Sequence, residues 1–433
     1  MHFNTILKLT IAWKMMNTIL VFLINLLLVR LLGVAASGSF FYDITVLSFI
    51  ILVLSWCLES GITYYASKDN RLIAPVLFFI LPLLLLQGGV AVALLKYIRL
   101  GISSYLAVFF IVSNLAIIYF SAFFYAKKRF VQLNIISCGV NFATTLLLFF
   151  LWLTKKNTAA AEGLYKLVFV GGIALLAAFL IIIMAAATKK NTGATNYILP
   201  VVKDIFGFSS LAFLSNVVFF LVVRIDYFFV QRYCSAILLG NYIQVSKFGQ
   251  LLILVPSIIA SLVFPYSAGK TNEMTVRKVQ QLCRVVTLIF MPVTAIIVLT
   301  GYWVLPWVFG AGFNHMYVPL LLYLPGFFSL SIVTILAAHL SGKKMLKANM
   351  AAALLALVIV ATGDAWLIPA GGINAAAAVS SIGYTGCCIY LLWLFKTRFN
   401  CSPKGFFIMG KPEIKYIAGY CKKFIFSSTS ATH

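Results

Sequence analysis

The sequence predicts an all-α polytopic membrane protein, and three observations carry that prediction. Of its 433 residues, 63% are hydrophobic and only 10% are charged, whereas soluble domains are roughly 45–50% apolar. The apolar residues fall in repeated runs of about 20, enough to cross about 30 Å of hydrocarbon as helices. The 33 basic residues, set against 9 acidic ones, gather mostly in the short segments between those runs. In a soluble domain a net charge of +24 would point to nucleic acid. Here the positive-inside rule accounts for the surplus, and no nucleic-acid partner is expected.

Twelve spans are expected, near 11–31, 41–65, 72–95, 104–125, 132–153, 164–187, 208–231, 241–265, 285–304, 317–340, 348–367 and 374–395. The first is followed by small residues, Val34-Ala35-Ala36-Ser37. It is nevertheless longer than a signal-peptide core of about 7–15 residues. Its Asn17 and Asn25 also suit a helix that faces other helices. Pro256, Pro292 and Pro325 fall inside spans and are expected to kink them. The longest connection, 266–284, leaves no room for an inserted soluble domain.

With the N-terminus in the cytoplasm, 23 basic residues fall on the cytoplasmic side, 6 on the other and 4 inside spans. Both termini are therefore expected inside. The tail, 396–433, mixes Lys and Arg with aromatic residues and reads as a segment lying on anionic lipid. The eight cysteines show no Cys-x-x-Cys spacing, so neither a metal site nor a disulfide framework is read, and no cofactor is implied.

Shifting the sequence by 202 residues aligns 30–68 with 232–270 at nine identities in 39 positions; composition this apolar gives about three or four by chance. Arg30 meets Arg232, Gly38 meets Gly240, Ser55 meets Ser257 and Lys68 meets Lys270. Six spans separate the copies, so they share one orientation. The expected plan is two parallel six-helix lobes, 1–200 and 201–395, around a central cavity, with a site near the midplane.

Ionisable residues inside a membrane are costly and usually face a cavity or each other. Lys14 and Lys166 lie near span ends, within reach of an interface by snorkelling. Lys247 lies about 10 Å into its span. Arg224 and Asp226, two residues apart, leave their helix on nearly opposite faces and call for partners on other helices. Asp43 is expected to pair with one of the cations. Glu59 reads two ways, as a buried proton-exchanging acid or as a helix cap paired with Lys68. Asp364 reads as near the outer face, and His339 stands alone on an apolar helix.

Several of these residues resemble a known family. Arg30-Leu31-Leu32-Gly33, then Gly38-x-Phe40 and Glu59-Ser60-Gly61, are similar to the opening of the polysaccharide (O-antigen type) flippases. Arg224-Ile225-Asp226-Tyr227, Gly240-Asn241-Tyr242, Pro256-Ser257 and Phe264-Pro265 continue the likeness in the second half. These flippases belong to the multidrug/oligosaccharidyl-lipid/polysaccharide exporter superfamily. The resemblance implies a transporter that flips a lipid-linked oligosaccharide, carried on undecaprenyl pyrophosphate, to the outer leaflet of a bacterial cytoplasmic membrane. It implies a cavity lined by spans 1, 2, 7 and 8, a coupling H+ or Na+, contact with membrane lipids, and polysaccharide assembly proteins as partners. The chain departs from lipid II flippases, which carry more arginines in the first helix and usually an acid where Gly38 stands.

Arg30, Arg224, Lys247 and Lys14 are thus the candidates for holding an anionic substrate. Asp43, Glu59 and Asp226 are the candidates for ion coupling or charge pairing. Two rivals remain: a multidrug antiporter for organic cations, which needs a cavity richer in acids than bases, and a membrane glycosyltransferase or polymerase, which needs larger outer loops. An ATP-driven pump is excluded. Gly269-Lys270-Thr271 resembles the end of a phosphate loop, but Phe264 stands where its first Gly is required.

Overall fold

The computed structural model describes residues 3–69, 72–154, 159–188, 198–268 and 275–407. Most of the basic tail, 408–433, lies outside the described residues, as do Lys155, Lys156, Lys189, Lys190 and Lys270 of the connecting segments. The described chain is built from thirteen α-helices: α1 (Phe3–Leu32), α2 (Val34–Ser55), α3 (Leu58–Lys68), α4 (Ile73–Leu95), α5 (Ser104–Ala126), α6 (Phe130–Leu153) and α7 (Ala159–Thr188). There follow α8 (Ile198–Tyr233), α9 (Ala236–Leu252), α10 (Leu254–Ala268), α11 (Val276–Phe309), α12 (Tyr317–Gly342) and α13 (Leu346–Phe399).

Ten helices are long and apolar enough to cross a membrane, and α9 with α10, bent by 46°, adds an eleventh span. The twelfth comes from α13, whose helical path is interrupted at Gly372 (φ 57°, ψ −143°), a conformation that glycine reaches without a Cβ clash. The expected all-α polytopic protein of about twelve spans is the one observed. Two expected spans differ in detail: the second is broken between α2 and α3, and the eighth between α9 and α10. Pro256 explains the latter break, because its ring clashes with the carbonyl four residues back, at Leu252. Pro292 and Pro325 lie inside α11 and α12, whose helical hydrogen bonding continues past them.

The chain forms two compact units. The first comprises 1–246, 302–319 and 361–376. Within it α1 packs on α6, α5 on α7, and α3 on both α5 and α8. The Asn17 side chain accepts a hydrogen bond from Asn141 at 2.8 Å, a polar tie of the kind that joins helices in lipid. Gly61 lets α3 approach α8 closely: a Cβ there would lie 2.7 Å from the Ile205 carbonyl oxygen and 2.8 Å from the Ser209 hydroxyl.

The second unit comprises 247–301, 320–360 and 377–433. A Cβ on Gly326 would lie 2.6 Å from the Ser381 Cα, so small residues again set the helix spacing. Ser329 and Thr385 share a hydrogen bond of 3.1 Å, and the Tyr323 and Tyr384 hydroxyls one of 3.3 Å. His339 is buried; its Nδ1 meets the Ser267 hydroxyl at 2.8 Å, and the Phe395 and Phe399 rings flank it at 5.8 Å. These contacts tie α10, α12 and α13 together. Phe406 is fully buried and Phe407 packs on Phe328, so the first residues after α13 are anchored to this unit.

Candidate functional site

The break between α2 and α3 falls where the chain has neither Gly nor Pro. Trp56 (φ 48°) and Cys57 (φ 51°) both adopt the left-handed conformation, which strains an L-residue by about 1–3 kcal/mol. Such a break leaves backbone carbonyls without partners, which hydrocarbon cannot supply. Gln87 of α4 takes over: its amide donates to the Leu54 carbonyl at 2.7 Å and to the Tyr119 hydroxyl at 2.8 Å. Trp56 stacks on Phe213 of α8 (4.3 Å, 12°) and donates to Ser210 at 3.0 Å. Asn216 donates to the Cys57 sulfur at 3.2 Å.

Because α3 restarts at Leu58, Glu59 sits in a helix's first turn, where unpaired N–H groups favour an anion. Its Oε2 is buried with no hydrogen-bond partner. The expected pair with Lys68 is not made: Lys68 instead donates to the Tyr64 hydroxyl at 2.7 Å, with its ammonium over that ring.

Asp43 is buried in α2 and accepts the Ile102 N–H at 2.9 Å. Gly101 is needed beside it, since a Cβ there would lie 3.2 Å from the carboxylate. The carboxylate therefore holds the α4–α5 connection, with Lys166 as the cation within electrostatic reach.

Arg30 donates to the Val308 carbonyl at 2.7 Å and also to the Trp307 carbonyl. Those carbonyls belong to the last turn of α11, where helical partners run out and a cation is favoured by the dipole. Arg30 thus caps another helix. Lys14, eleven residues into α1, is exposed. Lys247 is half-buried in α9 and belongs to the second unit.

Arg224 and Asp226 do not meet directly; Tyr227 stands between them. The Arg224 guanidinium donates to the Tyr227 hydroxyl and lies 4.9 Å from its ring centre. Asp226 accepts the Tyr227 N–H at 2.9 Å and the Tyr242 hydroxyl at 2.5 Å. Arg224 thus has a phenol as a hydrogen-bond partner, while Asp226 accepts from Tyr242.

Asp364, expected to end its span near the outer face, is a buried acid. It is fully buried, neither of its carboxylate oxygens has a hydrogen-bond partner, and it lies within electrostatic reach of Asp226. Its signal was its presence in an apolar run, since an acid there is a functional residue by default. No group of three or more His, Cys, Asp or Glu side chains among the described residues is placed to hold a metal ion.

Buried acids, an arginine on a phenol and two interrupted spans are thus set in an all-helical frame of membrane-spanning helices. Solved structures share the frame. The lipid II flippase MurJ, in an inward closed conformation, superposes with a TM-score of 0.70 at 15% identity, over 92% of this chain and 89% of that one. An inward-facing multidrug resistance MATE transporter gives 0.64 at 13%, over 88% and 94%. A superfamily transporter from Pyrococcus furiosus, described as having a binding pocket of reverse polarity, gives 0.58 at 13%, over 91% and 95%. No curated protein sequence matches. The chain belongs to the polysaccharide biosynthesis protein family, whose sequence model matches residues 27–318.

Proposed function

We propose that this protein flips a lipid-linked oligosaccharide, carried on an undecaprenyl-pyrophosphate-type lipid, from the inner to the outer leaflet for surface polysaccharide assembly. In this reading it is a transporter without enzymatic activity, resides in a bacterial cytoplasmic membrane and has both termini in the cytoplasm. Membership of the polysaccharide biosynthesis family supports the substrate class. The single observation that carries an anionic substrate is Arg224.

Arg224 lies nine residues before the end of α8, about 14 Å along the axis, and so close to the middle of a core about 30 Å thick. Among the described residues its hydrogen bond goes to a neutral phenol. A guanidinium that stays charged in such surroundings gains most when an anion arrives. An organic cation would be repelled, which weighs against the multidrug antiporter. Asp226 and Asp364 are the coupling candidates in this reading: both are buried and lie within electrostatic reach of each other.

The test is export of surface polysaccharide by cells carrying Arg224→Ala or Arg224→Lys at normal abundance. Arg224→Ala is expected to abolish export, and Arg224→Lys to retain part of it. Full export by the alanine variant would remove the anion-binding role.

A further inference from the structure

Three aromatic pairs line the seam of α2 and α8, all within the first unit. Tyr42 meets Phe228 with ring centres 5.7 Å apart, Phe49 meets Phe220 at 5.4 Å, and Trp56, just past the end of α2, meets Phe213 at 4.3 Å. The first partners recur every seven residues, two helical turns, and so fall on one face. From Tyr42 to Trp56 the strip runs about 21 Å, roughly two-thirds of a hydrocarbon core. Side chains that only close a helix seam bury themselves in it. These rings stay partly uncovered: Trp56 is 39% exposed and the other five are half-buried. Past the break, Tyr64 and Phe208 add a fourth pair, 4.8 Å apart and nearly parallel.

The strip also carries polar groups that acyl chains would not satisfy. Arg224 lies one turn from Phe220 and one turn from Phe228, on the same face of α8. Toward the other end, Ser210 and Asn216 are exposed and reach Trp56 and Cys57. An arginine, an amide and a hydroxyl beside uncovered rings mark a face turned to a polar space. A pyranose fits both kinds of group. Its C–H face rests on the negative face of an aromatic ring, and its rim of hydroxyls needs donors and acceptors such as these. A bare hydrocarbon chain would use the rings and leave the polar groups unmet. In a lipid-linked oligosaccharide the first sugar is bonded to the diphosphate. A diphosphate at Arg224 therefore brings that sugar to Phe220 or Phe228, each about 6 Å along the helix.

We propose that the aromatic strip of α2 and α8 is the sugar-binding surface of this transporter, with pyranose rings lying on the Phe49–Phe220 pair and its neighbours while Arg224 holds the diphosphate. The assignment rests on the lipid-linked oligosaccharide function proposed above and adds the residues that take the glycan. Repetition every seven residues offers like platforms to successive sugars. The strip thus selects a glycosylated carrier over a bare one without reading one particular sugar.

The experiment uses the full-length protein in phosphatidylcholine nanodiscs with two probes, sugar-free undecaprenyl diphosphate and the lipid-linked oligosaccharide extracted from cells that carry the transporter. The glycosylated probe is expected to bind roughly tenfold tighter than the sugar-free one. Phe49→Leu and Phe220→Leu keep an apolar side chain but remove the ring, and are expected to pull that ratio toward one by weakening the glycosylated probe alone. Phe49→Tyr keeps the ring and is expected to keep the ratio. Arg224→Ala is expected to weaken both probes. A second measurement needs no variant: saturating the aromatic protons of the unaltered protein is expected to transfer magnetisation to the sugar C–H protons of the bound probe. Absence of that transfer, equal binding of the two probes, or an unchanged ratio in the leucine variants would overturn the strip and leave the carrier function standing. Leucine variants that weaken both probes alike would also overturn it, because the rings would then serve packing alone. Failure of the glycosylated probe to bind the unaltered protein would overturn the carrier function and the strip together.

Discussion

Gly38 and Gly240, which the 202-residue shift superposes, touch each other. A Cβ on Gly38 would lie 2.6 Å from the Gly240 nitrogen and 2.8 Å from the Ala236 carbonyl oxygen, and a Cβ on Gly240 would meet the Val34 carbonyl. Val34 and Ala236 are themselves related by the same shift. Each glycine thus faces the carbonyl that corresponds to the one its mate faces. Such reciprocity is what a two-fold relation between repeats produces.

This contact predicts a graded series. Gly240→Ala forces backbone apart and is expected to lower stability by about 1–3 kcal/mol. Gly89→Ala, in a helix where a new Cβ meets nothing within 4 Å, is expected to raise it by up to about 1 kcal/mol. Thermal unfolding of the purified variants, followed by loss of the monodisperse peak, reads both. Equal melting temperatures for the two would show that the contact is slack.

Arg30 predicts a separation of stability from transport. Arg30→Ala strips the last turn of α11 of two hydrogen bonds from a charged donor, each worth about 1.5–3 kcal/mol, and is expected to lower the melting temperature by several degrees. Arg224→Ala removes a contact with one phenol, so it is expected to melt nearly as the unaltered protein does while losing export. The opposite pattern, with Arg224→Ala unstable and Arg30→Ala stable but inactive, would exchange the roles of the two residues.

The interrupted second span rests on Gln87. Gln87→Leu removes the donor to the Leu54 carbonyl and leaves that group unmet in an apolar setting, with an expected loss of about 1–3 kcal/mol. Gln87→Asn, too short to reach, is expected to behave alike. Hydrogen exchange of the amides around Leu54–Leu58 should accelerate in both variants. Unchanged exchange there would mean that the Trp56–Phe213 stack alone holds the break.

The all-α class and the approximate number of spans were legible in the chain, because both depend on local hydropathy. The partners were not. Arg30 caps carbonyls 277 and 278 positions away, and no local pattern encodes that. The break at Trp56–Cys57 lacks Gly and Pro because its cause lies in α4, where Gln87 satisfies the freed carbonyl. At the related place in the second half, Pro256 breaks the span by itself, and that break was announced by its residue. Asp364 reads from its place as near the outer face, and the fold shows it buried and within electrostatic reach of Asp226.

Asp364 and Asp226 give the last prediction. A buried carboxylate without a hydrogen-bond partner destabilises a fold unless a cation or proton accompanies it. Asp364→Asn keeps the shape and removes the charge, so its melting temperature is expected to hold or rise. In the proposed function the same change removes one of the two coupling candidates. Transport by Asp364→Asn in proteoliposomes is therefore expected to lose its dependence on an imposed H+ or Na+ gradient. Asp226→Asn is expected to lose that dependence too, but with lower stability, because Asp226 also anchors Tyr242 and the Tyr227 backbone. A proton-coupled pair would respond to a pH gradient at constant Na+, and a sodium-coupled pair to a Na+ gradient at constant pH. If Asp364→Asn unfolds the protein, or transports with its gradient dependence intact, the pair is structural and coupling resides elsewhere, with Glu59 the next acid to replace.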